Sequence, residues 1–300
     1  MFRALFLLTL AVSAYANEAV YHATSQDYED AVASQGRIVS GWEAYEGQFP
    51  FQLSLRMVNR FGRVTACGAT LIHNEWILTA AHCPAQRVTL VVRLGATDLK
   101  TPRILLETTE YYLHPTYIES APFVQPNDIS LVKLPRRVDY TPLIQPIRIQ
   151  ASADKNKNYE GITLTAFGWG RNWTEGVSPE IMNWVYLKGV SNAQCKLDFG
   201  GSSTIVDSTV CGRYFNVTSQ SVCQGDSGGG LTVRDVDGKV TQIGIASFVH
   251  RDGCHTEKPG GFIRPGHYHD WIERVTGMNF DWVPEEEEDG SGLFDEGFLF

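Results

Sequence analysis

From residue 38 to about residue 265 the chain consists of short apolar, β-branched runs cut by Gly, Pro, Asn and Asp, and this punctuation allows few folds. Runs at 51–58, 76–79, 89–94, 130–134, 162–166, 184–190 and 241–249 each have strand length. β-Branched and aromatic side chains suit a half-buried pleated surface. Turn residues at such short spacing leave no room for the long amphipathic crossovers of a parallel sheet. The expected class is therefore all-β, a sandwich or a barrel. One helix is predicted near 266–275. Tyr268, Trp271, Ile272 and Val275 recur at three and four residues, so they share a face, and Gly277 stands where the helix must stop.

Both ends differ from this middle. Arg3 precedes an almost wholly apolar run at 4–12, and Ala14-Tyr15-Ala16 offers a small-x-small cleavage pattern, so residues 1–16 are expected to be a signal peptide and the protein to be secreted. No other segment approaches about 18 apolar residues, so no membrane span is expected. Residues 17–37 are polar and aperiodic, as a removable pro-segment would be, and residues 277–300 read as an acidic, disordered tail. That tail also carries Leu293, Phe294, Phe298, Leu299 and Phe300, apolar residues that could dock on the domain or on a partner. The net charge is −9, but residues 281–300 hold eight acidic side chains and no Lys or Arg. Acidity thus belongs to an appendage and says little about substrate. No basic stripe marks a nucleic-acid binder.

Six cysteines, Cys67, Cys83, Cys195, Cys211, Cys223 and Cys254, form an even set in a chain bound for an oxidising compartment. Spacing alone allows about 15 pairings. There is no CxxC pair, which argues against zinc.

Gly225-Asp226-Ser227-Gly228-Gly229 carries the sharpest chemical signal. A serine hydroxyl is a poor nucleophile unless a base takes its proton and donors hold the oxyanion that follows. Flanking glycines permit a tight turn and close approach of a carbonyl to backbone N–H groups. Thr79-Ala80-Ala81-His82-Cys83 places a histidine at the end of an apolar strand, beside a cysteine able to tether it. Asn127-Asp128 stands immediately before another strand, where a carboxylate can orient an imidazole and stabilise its charged form. Each of these residues alone has a bland reading, as a surface turn, a satisfied histidine or a turn acid. Together they supply nucleophile, base and orienting acid.

Ile38-Val39-Ser40-Gly41, the His82 and Asp128 segments, Gly168-Trp169-Gly170, the Ser227 turn and Ser247-Phe248 occur in the order of the chymotrypsin/trypsin/elastase family, which the chain resembles over residues 38–276. The resemblance implies two packed six-stranded antiparallel β-barrels with a C-terminal helix, and a serine endopeptidase with His82, Asp128 and Ser227 as catalytic residues. It implies an oxyanion hole from the N–H groups of Gly225 and Ser227, and the pairings Cys67–Cys83, Cys195–Cys211 and Cys223–Cys254. Ser247 would bond near Asp128, and residues 247–249 would offer an edge to the substrate backbone. It further implies a zymogen: cleavage after Arg37 by a trypsin-like activating protease would free the Ile38 amine to pair with Asp226. With no cysteine in 17–37, the pro-segment would leave.

In the family, the base of the specificity pocket lies six residues before the serine, here Ser221, which cannot repay the desolvation of a Lys or Arg side chain. Val249 resembles the elastase version of one wall, whereas Gly260 departs from it and leaves the pocket open, with Val222 adding apolar character. Cleavage after Leu, Phe, Tyr, Met or smaller aliphatic residues is expected. The expected role is bulk or extracellular protein degradation, collagen and elastin included. Residues 95–100 have Ala96 where calcium-binding members carry glutamate, so no calcium requirement is expected there; no other metal and no cofactor is expected. Asn172 and Asn216 head N-glycosylation sequons. Expected partners are protein or peptide substrates, the activating protease and protein protease inhibitors, with the chain a monomer. The rival reading is a catalytically silent relative acting as a binding or regulatory module. Its usual mark, loss of a catalytic residue, is missing here.

Overall fold

The computed structural model describes residues 41–121 and 123–284. The expected signal peptide, the pro-segment with Arg37 and Ile38, and residues 285–300 lie outside the described residues.

The polypeptide forms two curled antiparallel sheets. The first uses β2 (Gln52–Asn59), β3 (Val64–His73), β4 (Trp76–Thr79), β5 (Arg87–Leu94), β6 (Ile104–Thr108), β7 (Tyr111–Leu113) and β8 (Ser130–Lys133), in the order β6-β5-β2-β3-β4-β8-β7. The second uses β1 (Trp42–Glu43), β10 (Thr163–Gly168), β11 (Asn183–Val190), β12 (Thr209–Tyr214), β13 (Gly230–Arg234), β14 (Val240–Phe248) and β15 (Gly260–Ile263), with β9 (Arg148–Ile149) running parallel to β14. Pairing of β11 with both β10 and β12 closes a six-stranded barrel there. The first sheet curls as a half-barrel whose outer strands, β6 and β7, share no ladder among the described residues.

Alternation explains the curl. Leu53, Leu55 and Met57 of β2 lie beside Leu90, Val92 and Leu94 of the paired β5 on the sealed inner face, while Arg56, Arg87 and Arg93 lie on the other. Burying each such aliphatic side chain stabilises by roughly 1.5–3 kcal/mol. The two halves meet through aromatic rings. Phe49 and Phe51 of the first half lie 4.5 and 5.4 Å, respectively, from Phe167 of β10. The Thr70 hydroxyl donates to Gln242 Oε1 at 2.7 Å, joining β3 to β14.

All three disulfides implied by the resemblance are present: Cys67–Cys83, Cys195–Cys211 and Cys223–Cys254. Among the described residues two short α-helices occur, α1 (Asn192–Asp198) and α2 (His269–Thr276). Periodicity could not announce α1, because its only buried residue is Cys195, and the disulfide to β12 holds it in place. Helix α2 follows a 3₁₀ turn at Pro265–His267, buries Trp271 and Ile272, and ends at Gly277 in a left-handed conformation (φ 72°), as the sequence predicted. Packing continues past α2. Phe280 lies against the core, Trp282 Nε1 donates to the Ile149 carbonyl at 2.8 Å, and the Arg148 guanidinium sits 3.7 Å above the Trp282 ring. Asp281 accepts from the backbone and hydroxyl of Ser152.

Candidate active site

The junction between the halves gathers residues far apart in sequence. Strand β4 delivers the turn that carries His82, and Cys83 ties that turn to Cys67 of β3. Asp128 precedes β8, which pairs with β4, so the acid comes to lie beneath the imidazole. The buried Asp128 carboxylate accepts three bonds: from the His82 backbone N–H (2.8 Å), from His82 Nδ1 (2.7 Å) and from the Ser247 hydroxyl (2.6 Å).

Electrostatics follow from this geometry. Burial disfavours the charged imidazolium, but the Asp128 charge and hydrogen bond outweigh it, so His82 is held above its ordinary pKa, with a small opposing contribution from Arg87. Burial would raise the Asp128 carboxyl, and His82 and Ser247 reverse it, so this acid stays below the usual carboxylate range. A proton on Nδ1 shared with Asp128 leaves Nε2 as the acceptor end of a neutral ring.

Ser227 lies in a turn clamped between the two halves. Gly68 of β3 donates to the Ser227 carbonyl (2.7 Å), Gly228 donates to Ala246 of β14 (2.7 Å), and Ala246 donates back to Gly229 (2.9 Å). Gly228 has φ 80°, and a Cβ there would collide with the Thr79 hydroxyl and the Gly68 carbonyl, so only glycine permits this approach. Because Thr79 ends β4 three residues before His82, the serine turn and the histidine turn adjoin. The turn is also fixed by the N–H groups of Asp226 and Gly229; those of Gly225 (φ 106°) and Ser227 make no backbone bond among the described residues.

Asp226 is sealed beneath this turn and accepts from the backbone of Gly170 (2.8 Å) and Cys223 (2.9 Å). Burial pushes its carboxyl up to about 6 despite those two bonds.

The expected pocket residues come together as well. Ser221 and Val222 are buried, and Val249 packs on the apolar cluster that contains Val222 and on the Cys223–Cys254 bridge. A Cβ on Gly260 would lie 3.2 Å from Val222 and 3.8 Å from the Phe248 carbonyl. The Phe248 ring covers Gly261 and meets Phe199 edge-on at 5.3 Å. Of the two sequons, Asn216 is exposed, while Asn172 is half-buried and the hydroxyl of its Thr174 accepts from the Cys254 N–H (2.9 Å).

Sequence reading missed the support behind Asp128. Asn127 adopts φ 61°, held by its bonds to Thr116 (2.7 Å) and from the Tyr268 hydroxyl (2.9 Å). Asparagine's tolerance of the left-handed region was the available signal.

Residues 38–272 match the family model described as Trypsin. Over 275 residues the chain is 37% identical to a collagenase of Hypoderma lineatum, covering 92% of this chain and 99% of that protein. It is 33% identical to Trypsin 5G1 of Aedes aegypti, covering 83% and 88%, respectively. With chymotrypsin-like elastase family member 1 of Macaca fascicularis the identity is 31%, covering 88% and 98%. The solved structure of HL collagenase superposes with a TM-score of 0.72 at 36% identity, covering 81% of this chain and all of that one.

Proposed function

Because this chain belongs to the trypsin family of serine proteases, we propose that it cleaves peptide bonds within proteins with Ser227 as nucleophile, His82 as general base and Asp128 as the orienting acid. The Ser227 oxygen adds to the scissile carbonyl carbon while its proton passes to His82 Nε2. The carbonyl oxygen, now an anion, rests on the N–H groups of Gly225 and Ser227. His82 then gives the proton to the departing amine, leaving an acyl-enzyme that water hydrolyses by the same relay. The three bonds converging on Asp128 are the observation that carries this reading. They fix both the tautomer and the plane of the imidazole, which a silent homologue has no need to maintain.

Selectivity is for uncharged apolar residues on the amino side of the bond. Ser221 offers a hydroxyl and no charge, Val249 narrows one wall and Gly260 adds no side chain to the other. One methylene in such a pocket changes preference by only about 1–3 kcal/mol, so the range includes Leu, Phe, Tyr and Met as well as smaller aliphatics. The protein is secreted as a zymogen, and cleavage after Arg37 frees the Ile38 amine to pair with the buried Asp226. Degradation of extracellular structural protein is favoured by the likeness to a collagenase along nearly the whole of both chains.

A peptide library exposed to protein cleaved at Arg37, with Ser227→Ala as control, tests the reading. Cleavage after apolar residues is expected. Cleavage chiefly after Arg or Lys would overturn the reading of Ser221, and cleavage that persists in the control would overturn that of Ser227.

A further inference from the structure

We propose that the arginines of the β2–β3 hairpin and of the outer face of β5 form a docking surface for acidic residues on the carboxyl side of the cleaved bond. This inference rests on the protease reading above and adds a substrate class to it.

Five guanidiniums gather there. Arg93 is paired in register with Ser54, and Arg56 with Val91, so Arg56 and Arg93 are diagonal neighbours on one face. Arg87 lies opposite Asn59, beside the hairpin tip that carries the exposed Arg60 and Arg63. Among the described residues none of the five has a carboxylate within 4 Å, whereas Arg103, Arg137 and Arg148 are each paired with one. The Nε atoms of Arg56 and Arg87 and one Nη of Arg93 are buried without an acceptor. Burial first, and then the charge of Arg56, hold Arg93 below its ordinary range. Two acids lie nearby against the five guanidiniums: Glu107, exposed across from Val91, and Glu119, which accepts from the Gln86 backbone at 2.6 Å.

Position selects the occupant. The residues on the amino side of the bond belong to the pocket and the β14 edge, both in the second barrel. The chain leaving Ser227 on the carboxyl side must therefore run toward β3, whose Gly68 bonds the Ser227 carbonyl. From Gly68 to Val64 at the hairpin tip is about 13 Å at strand rise, within reach of a few substrate residues. Arg87 is close enough to act on His82 electrostatically. Unpaired guanidinium forks match carboxylates in shape and charge. The Phe61 ring, 79% exposed with Arg60 4.7 Å above it, adds apolar contact.

The test uses paired peptides, identical up to the cleaved bond, with Glu or Gln at the second to fifth positions beyond it. The full chain cleaved at Arg37 is expected to favour the Glu peptide in kcat/KM by about fivefold at low salt, the scale of one good exposed ion pair, with the preference fading as salt screens it. Arg60→Gln with Arg63→Gln should remove the preference, and Arg60→Lys with Arg63→Lys should keep it. Equal cleavage of both peptides would overturn the inference while leaving the protease reading intact. A preference that appears only after truncation at residue 284 would overturn it too, by making the acidic tail the occupant. Cleavage of neither peptide would defeat the protease reading instead. In that case anisotropy of the labelled peptides on Ser227→Ala protein decides the surface by itself: tighter, salt-sensitive binding of the Glu peptide supports it, and equal binding ends it.

Discussion

Asp128 concentrates what the candidate site needs at the scale of one residue: burial, three donors and a backbone held from behind by Asn127 and Tyr268. Replacing it by asparagine keeps the size but favours the wrong imidazole tautomer, so Asp128→Asn is expected to lower kcat by about 10⁴-fold with little change in KM. The pH profile has a definite sign. His82 acts as a base only when neutral, and its folded pKa is raised above 6.5, so the acid limb of kcat/KM should have its midpoint above 6.5. The ion pair behaves oppositely in stability. Its contribution from His82 is fully present below pH 6.5 and is lost as pH rises through the folded pKa. An acid limb below 6.5 in a pH–rate profile would contradict the placement of Asp128 against the ring.

Single elements carry the support around that site, and some act from behind it. Strands β4 and β8 align the His82 and Asp128 turns, β3 and β14 clamp the serine turn, and α2 brings Tyr268 to Asn127. The segment after α2 is anchored by Trp282, between Arg148 and the Ile149 carbonyl. Trp282→Ala is expected to destabilise the fold by about 2 kcal/mol through loss of the stacked cation and the hydrogen bond. Denaturant unfolding measures this, and a change within error would mean the segment rests on the domain without stabilising it.

At the scale of the whole molecule, the activation proposed above would couple the buried Asp226 of the second barrel to the chain's processing. Its folded pKa of about 6 lies above the unfolded value, so the stability it contributes is present below about pH 4 and is lost as pH rises through about 6, a difference on the order of 3 kcal/mol. A cation delivered to it offsets that loss. Uncleaved Arg37→Gln protein should therefore lose more thermal stability between pH 5 and pH 8 than protein cleaved at Arg37. It should also stay inactive when treated with trypsin. Equal losses in the two forms, measured by calorimetry, would sever Asp226 from activation.

The strand runs, the α2 face with its glycine stop, and the three chemical segments were legible in the sequence because each depends on neighbours within a few residues: alternation, periodicity and turn chemistry are local. The class of fold and the identities of His82, Asp128 and Ser227 as candidates followed from them. Helix α1 was not legible, since a disulfide to β12 fixes it in place of an apolar face. Nor was the packing of residues 278–282, whose partners Arg148, Ile149 and Ser152 lie about 130 positions earlier. A net charge of −9 gave no hint of five neighbouring arginines that lack a carboxylate partner among the described residues, because β5 becomes a neighbour of β2 and its hairpin only through long-range pairing. Local pattern thus set the elements and the chemistry available to them. Long-range strand pairing decided which charges meet and which acids are sealed from water.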